Sequence, residues 1–424
     1  MKAPTERIPF ALPFLGGEEE KAVLRVLRSG WLTTGAEALA FEKEFAAFLR
    51  PACEPGAVPG NTLSALAVNS ATSGLHLALE ACGVGPGDVV LCSPYTFTST
   101  AEVVRYLGAD VAFVDVAPGS YLIDPAALER TVERLAQGLP AYPARSSGGP
   151  DFGPRGRPAA VVPVHFGGLT ADMDAVLACA GRYGLKTVED AAHAFPSRLA
   201  DGRTAGCIGD AGVFSFYATK TITTGEGGMV VTSDAEIARR VAVMRSHGID
   251  RAVWDRYTDQ KASWRYAVVE AGFKYNLPDL LAAIGRVQLT RADDLLARRR
   301  SIAAAYDAAF GGDRRFILPP TGSGDARHLY PLRLAGPQGG RQRDVFLEAL
   351  QAAGIGVSVH FIPLHTMPYY SGRYGLEDQD FPRALDAFER TVSLPIWPGL
   401  TEAQTQRVID AVREAADRLL DGKE

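Results

Sequence analysis

From Leu63 to Thr232 the chain alternates short, largely apolar runs with stretches whose apolar residues recur at helical spacing. The runs Leu63–Val68, Asp88–Cys92, Val111–Val116, Ala159–Val164, Leu185–Val188, Val213–Tyr217 and Met229–Thr232 read as buried strands. Between them Leu75–Cys82, a segment ending near Gly108, Pro125–Leu135 and Asp172–Tyr183 read as helices, and Asp234–His247 reads as a helix after the last strand. This rhythm predicts an α/β fold with a large, mostly parallel sheet covered on both faces. Two helices precede it: Glu18–Arg28, closed by Gly30, and Ala36–Leu49. Beyond it Asp279–Ala309 reads as one long helix, and from about Phe316 the texture turns α+β. Strands are expected there at Leu329–Leu334 and Val357–Phe361, and helices at Arg343–Ala353 and from Thr401. A length of 424 residues exceeds what one core usually fills. The expected division is therefore 1–290, an N-terminal arm and the large domain, and 291–424, an interdomain helix and a smaller domain.

A net charge of −5 and a pI near 5.9 disfavour nucleic acid and anionic membranes as partners. The longest basic run, Arg298-Arg299-Arg300, is read as a solvated helix face. Five cysteines (Cys53, Cys82, Cys92, Cys179, Cys207) make no Cys-x-x-Cys pair and have no histidine set nearby, so neither a disulfide framework nor a metal site is expected. Prolines and acidic residues break the N-terminal segment before a long apolar run develops, and no uninterrupted run of transmembrane length follows. A soluble, cytoplasmic protein is expected. Gly138–Pro158, rich in Pro, Gly and Arg, is read as a mobile surface insertion without chemistry.

Candidate chemistry gathers at the ends of the strands, where open α/β sheets bind ligands. Lys220 lies in the connection between two strands, among Ser215, Thr219, Thr221, Thr223, Thr224 and the glycines of Gly225-Glu226-Gly227-Gly228. That setting suits a Schiff-base lysine; on this stretch alone an ordinary loop lysine fits equally well. The turn Asn69–Gly74 joins a strand to a helix N-terminus, where free N–H groups and the helix dipole favour a phosphate, with Thr72 adding a hydroxyl. A plain capping turn is the other reading. Tyr95 or Phe97 could stack on a flat cofactor or simply pack in the core, and His165, Asp190 and His193 close the next two strands. If Lys220 binds an aldehyde cofactor such as pyridoxal 5′-phosphate, Asp190 can serve the ring nitrogen. Ala71 N–H, Thr72 and Ser215 can then take the phosphate and Phe97 a ring face. His193 is left between contact with the ring hydroxyl or Asp190 and a buried structural role.

The motifs SATSG (Ser70–Gly74), PYTFTST (Pro94–Thr100), VEDAAHA (Val188–Ala194), FSFYATK with TTGEGG (Phe214–Gly228) and GFKYNLPDLLAAIG (Gly272–Gly285) resemble the DegT/DnrJ/EryC1/StrS sugar aminotransferases. The branch that aminates UDP-4-keto sugars, as in 4-amino-4-deoxyarabinose synthesis, is especially similar. The resemblance implies pyridoxal-phosphate fold type I, like aspartate aminotransferase, and a homodimer with active sites at the subunit interface. It makes Lys220 the Schiff-base lysine, Asp190 the partner of the ring nitrogen, Phe97 the stacking residue, and Thr72 and Ser215 phosphate ligands. It brings the loop Gly272–Asp279, with Lys274 and Asn276, from the neighbouring subunit. The implied reaction moves an amino group from glutamate to a nucleotide-linked ketosugar. Trp31, His165, His360 and His365 are expected to face the substrate, each with a structural role as the alternative. Three departures stand out: Thr221 follows the lysine where many members have Asn, Lys274 and Asn276 occupy the interface loop where many have Asn and Arg, and the insertion Gly138–Pro158 is longer than the resemblance leads one to expect. A sugar dehydratase is the nearest alternative enzyme, but in similar dehydratases a histidine replaces the lysine. A non-catalytic regulatory protein of the same fold is the other alternative.

Overall fold

The computed structural model describes residues 7–50, 63–250, 266–322, 324–336 and 339–420. Cys53, the loop expected at 51–60 and most of the connection 248–271 lie outside them. Two helices, α1 (Gly17–Ser29) and α2 (Ala36–Leu49), lead into β1 (Ser64–Val68), α3 (Ala71–Ala81), β2 (Asp88–Cys92), α4 (Ser99–Tyr106) and β3 (Asp110–Phe113). There follow α5 (Pro125–Ala136), β4 (Arg157–Val162), α6 (Met173–Tyr183), β5 (Lys186–Asp190), β6 (Ala211–Ser215), β7 (Gly228–Thr232) and α7 (Ala235–Met244). The seven strands form one sheet in the order β1-β7-β6-β5-β4-β2-β3. Only β7 runs against the others, pairing antiparallel with β1 and β6. All five residues of β2, β6 and β7 are buried, which is why these strands read as continuous apolar runs rather than alternating ones.

Local chemistry places several boundaries away from where apolar periodicity alone puts them. Helix α3 starts at Ala71, four residues before the predicted Leu75, because Ser70 and Ser73 form a reciprocal cap: Ser73 N donates to Ser70 Oγ (3.1 Å) and Ser70 N to Ser73 Oγ (3.2 Å). Thr72 therefore sits in the first helical turn. The expected long helix is two, α8 (Asp279–Thr290) and α9 (Ala292–Phe310). Between them Arg291 leaves helical geometry (φ −105°, ψ 4°) and donates to Glu19 Oε1 at 2.6 Å.

The stretch 138–158 is exposed through much of its middle, as expected of a surface segment, but it is anchored to the large sheet at both ends. Tyr142 and Phe152 pair across a hairpin, and the buried Tyr142 hydroxyl accepts from Phe113 N (2.6 Å) and donates to Phe113 O (3.1 Å). Tyr374 Oη accepts from Val111 N (3.0 Å), so two tyrosines occupy the open edge of β3, a position that would otherwise invite another strand. Arg145 ties the hairpin to Asp380 (2.6 Å).

A second, antiparallel sheet contains β8 (Phe316–Ile317), β9 (Tyr330–Leu334) and β10 (Thr391–Leu394), in the order β10-β9-β8. The strand predicted at Val357–Phe361 is absent: only Ser358 makes a bridge, to Ser393, and the chain then turns so that His360 and Phe361 reach the large sheet. The helices α10 (Gly339–Ala352), α11 (Pro368–Tyr374), α12 (Pro382–Arg390) and α13 (Glu402–Leu419) complete the chain. The small sheet has its own core around Tyr306, Tyr330, Phe346, Val392 and Val408, joined by Ile8 from the N-terminal arm. Leu364, Tyr370, Tyr374 and Phe381 pack instead on the core of the large sheet. Segments thus cross the expected 290/291 division in both directions. No helix among the described residues is long and apolar enough to cross a membrane.

Candidate active site

The parallel strands end against the small sheet, and the space between is a cavity of about 440 Å³. Its walls come from the start of α3 (Ser70, Ala71, Thr72), the turn after β2 (Thr96, Phe97), the end of β5 and the residues after it (Asp190, Ala192, His193), and the β6–β7 connection (Ser215, Thr219, Lys220, Gly227). The side towards the small sheet supplies His328, His360, Phe361 and Ile396. Of the residues singled out in the sequence, Ala71, Thr72, Phe97, Asp190, His193, Ser215 and Lys220 meet here from the large sheet, as the strand-end rule leads one to expect, and His360 joins them from the small-sheet side.

Asp190 is the last residue of β5 and is almost fully buried. Thr100 Oγ1 donates to its Oδ2 (2.8 Å) and Ala192 N to its Oδ1 (3.1 Å), while Thr96 and Thr100 share a further hydrogen bond. Lys220 lies in the connection that leaves β6, in the same cavity. Burial pushes its amine down to about 7; the negative charge of Asp190 opposes this and the guanidinium of Arg299 adds to it. The three cavity histidines are neutral rings. His193 and His328 are held well below their usual range, by burial first and then by neighbouring Lys220 and histidines, and His360 is lowered to about 4 by burial and Lys220. His193 Nδ1 accepts from Gly167 N (3.3 Å), so the proton of the neutral ring belongs on Nε2. Its ring lies 4.5 Å from that of His328 and is stacked on Phe361.

These walls fit pyridoxal phosphate. Ala71 and Thr72 are the first residues of α3, whose N–H groups have no partner within the helix. Gly228 lets β7 approach that terminus; a Cβ there would lie 2.8 Å from Ala71 N. Phe97 is 58% exposed on the wall, a large aromatic face left open next to an amine and a carboxylate.

Two expectations are corrected. His165 does not face the cavity: it is completely buried, with Nε2 2.8 Å from Glu189 Oε2 and Nδ1 accepting from Ala171 N. Its proximity to Asp190 along the sheet is backbone only, through His165 N donating to Asp190 O. His365 is likewise buried, bonded through Nε2 to Asp378 O (3.0 Å). Trp31, Lys274 and Asn276 do not line the cavity of their own chain; Asn276 joins Lys274 (2.5 Å) to Thr34 (2.6 Å) beside the start of α2. Sequence reasoning missed Thr96, Thr100, His328 and Phe361. Thr96 and Thr100 carried a signal in their place within the PYTFTST motif, on either side of Phe97; His328 and Phe361 carried none.

The fold is that of pyridoxal-phosphate-dependent enzymes of fold type I. The DegT/DnrJ/EryC1/StrS aminotransferase family matches residues 13–413, and the chain belongs to that family. It is 42% identical over 410 residues to the spore coat polysaccharide biosynthesis protein SpsC of Bacillus subtilis, covering 96% of both chains. Among solved structures it is similar to Helicobacter pylori PseC, an aminotransferase involved in pseudoaminic acid biosynthesis (27% identity, TM-score 0.82, 98% of this chain and 100% of the other). Spr1654 of Streptococcus pneumoniae, in its PLP form, is similar to the same degree (26%, TM-score 0.82, 97% and 99%). The protein is a pyridoxal-phosphate-dependent sugar aminotransferase.

Proposed function

We propose that the protein transfers the amino group of glutamate to the carbonyl of a nucleotide-linked 4-ketosugar, as a cytoplasmic homodimer whose sites are completed across the subunit interface. The observation that carries this reading is the shared cavity of Lys220 and Asp190, with an open aromatic face and a helix N-terminus on its walls. In this reading Ala71, Thr72 and Ser215 bind the phosphate, Phe97 covers one ring face and Asp190 serves the ring nitrogen. The bound cofactor supplies an aldehyde that takes up amines and a ring that withdraws electrons from the carbon undergoing proton transfer.

Lys220 holds the cofactor and, once free, moves the proton from the donor's α-carbon. An amine lowered to about 7 has a large unprotonated fraction at neutral pH, which an ordinary lysine lacks. His193 presents Nε2–H as a donor, for the ring hydroxyl or for Asp190. Val164, Leu329, Phe361 and Ile396 keep water from the reacting carbon. His360 stands on the wall nearest the small sheet, where a sugar could reach it. Trp31, Lys274 and Asn276 are assigned to the neighbouring subunit's cavity. The names of SpsC and PseC, both placed in carbohydrate biosynthesis, support a sugar acceptor.

The absorption spectrum of the purified holoenzyme tests the donor half. Glutamate should collapse the yellow band to that of the pyridoxamine form, and a panel of UDP- and dTDP-linked 4-ketosugars should then restore it. A band indifferent to glutamate would remove the donor, and restoration by no 4-ketosugar would remove the acceptor. Light scattering at the 45.2 kDa of one chain, rather than twice that, would remove the dimer.

A further inference from the structure

The run Arg298-Arg299-Arg300, expected on a solvated face, has three different surroundings. Arg298 lies over the Phe14 ring (4.9 Å) and Arg300 donates to Asp325 O (3.0 Å). Arg299 is 2% exposed. Its position explains this: Leu295, Leu296, Ile302, Ala303 and Tyr306 form the buried stripe of α9, and residue 299 falls in that stripe, one turn from 295–296 and one from 302–303.

A buried arginine normally meets a carboxylate. Among the described residues Arg299 meets none, and its Nε has no partner. Its guanidinium bonds only backbone carbonyls: Nη1 donates to Ile396 O (2.8 Å) and His328 O (3.2 Å), and Nη2 to Thr219 O (3.2 Å) and Lys220 O (3.5 Å). All four carbonyls belong to residues that line the cavity, and they come from three separate segments of the chain. The planar fork of arginine can serve such a set from one point, which a lysine or an apolar side chain cannot. An uncompensated buried charge is costly, so a purely structural filler at this position would be better apolar.

We propose that Arg299 is a positioning residue for Lys220: it holds the lysine loop against the segments bearing His328 and Ile396, and its unneutralised charge favours the unprotonated amine. This rests on Lys220 being the cofactor-binding lysine. The groups around that amine are few. Asp190 from β5 favours the protonated form and Arg299 from α9 the neutral one. His193, His328 and His360 are neutral rings, and Tyr217 and Glu226 line the same cavity from the lysine's own loop. Without Arg299 the balance shifts towards Asp190.

Trace acetylation of the full-length, cofactor-free protein across pH, with Lys220 read by peptide mass spectrometry, measures this balance directly. The native protein should label Lys220 half-maximally near pH 7. Arg299→Met should move that midpoint up by about one pH unit, roughly a tenfold loss of labelling on the acid side. Arg299→Lys, which returns the charge without the fork, should bring it back towards the native value. A native midpoint near 7 that Arg299→Met leaves in place would overturn the role of Arg299 alone. A native midpoint near 10.5 would remove the reading of Lys220, and this proposal with it. If the methionine variant does not fold, Arg299→Gln, which can still bond a carbonyl, decides in the same way: an upward shift supports the proposal and an unmoved midpoint overturns it.

Discussion

Glu189 and Asp190 are consecutive residues at the end of β5, so their side chains fall on opposite faces of the sheet. The two faces treat a buried carboxylate in opposite ways. Glu189 accepts from the ring of His165 (2.8 Å) and from the amides of Gly206, Ile208 and Gly209 (2.8, 2.6 and 2.7 Å). Burial alone would raise its pKa, yet His165 and these amides hold it below the usual carboxylate range. Asp190 has two partners, Thr100 and Ala192, and opens onto the cavity, where the buried His328 Nδ1 has no partner among the described residues. A polar cluster with every bond made inside the protein holds the fold. One with bonds left open around a cavity is arranged for a ligand.

The sharpest way to break this contrast is Lys220→Ala. On the proposed role of the lysine in the reaction, turnover should fall by about a thousandfold or more while the melting temperature stays near native. A folded alanine variant within tenfold of native activity would show that the chemistry lies elsewhere. On the other face, Glu189→Ala should lose stability by about 3–5 kcal/mol, since it strands three amides and a histidine. Urea unfolding measures this, and an unchanged midpoint would deny Glu189 its anchoring role. Asp190→Asn should keep the fold and slow the donor half-reaction roughly a hundredfold, read by stopped-flow absorbance. Equal damage to stability from Asp190→Asn and Glu189→Ala would erase the distinction between the faces.

The smallest effect is a pH slope. The amine of Lys220 is lowered in the folded cofactor-free protein, so between about pH 7 and 10.5 the unfolded chain binds a proton that the folded one does not. Stability should therefore rise with pH across that window on account of this group. Lys220→Met should remove that contribution, and matching slopes for the two proteins in thermal melts would mean that the amine is not lowered by folding.

Much of the site was legible because its parts are local. Lys220 follows an apolar strand and precedes a glycine turn; Ser70 to Gly74 is a cap at a strand-to-helix junction; Asp190 ends a strand. Each of these leaves a mark within a few residues. His165 misled for an equally local reason: it also ends a strand run, but on the side of Glu189, and a shift of one residue along a strand exchanges the faces. Arg299 was hidden inside a basic triplet whose charge reads as solvent-facing until its register in the stripe Leu295–Tyr306 is counted. The strand Thr391–Leu394 was missed because four residues are too few for a period to show.

The sequence by itself determined the α/β rhythm, the family and the set of strand-end residues, since propensity, capping and periodicity act over one or two turns. Tertiary structure alone decided which polar groups share a cavity and which are satisfied out of reach of it. His328, Ile396 and the Lys220 loop are far apart along the chain, and only the packing of the small sheet against the large one brings their carbonyls to a single guanidinium. Contacts of that kind depend on which side of each element faces inward, and side-chain direction is set by the assembled core rather than by neighbours in sequence.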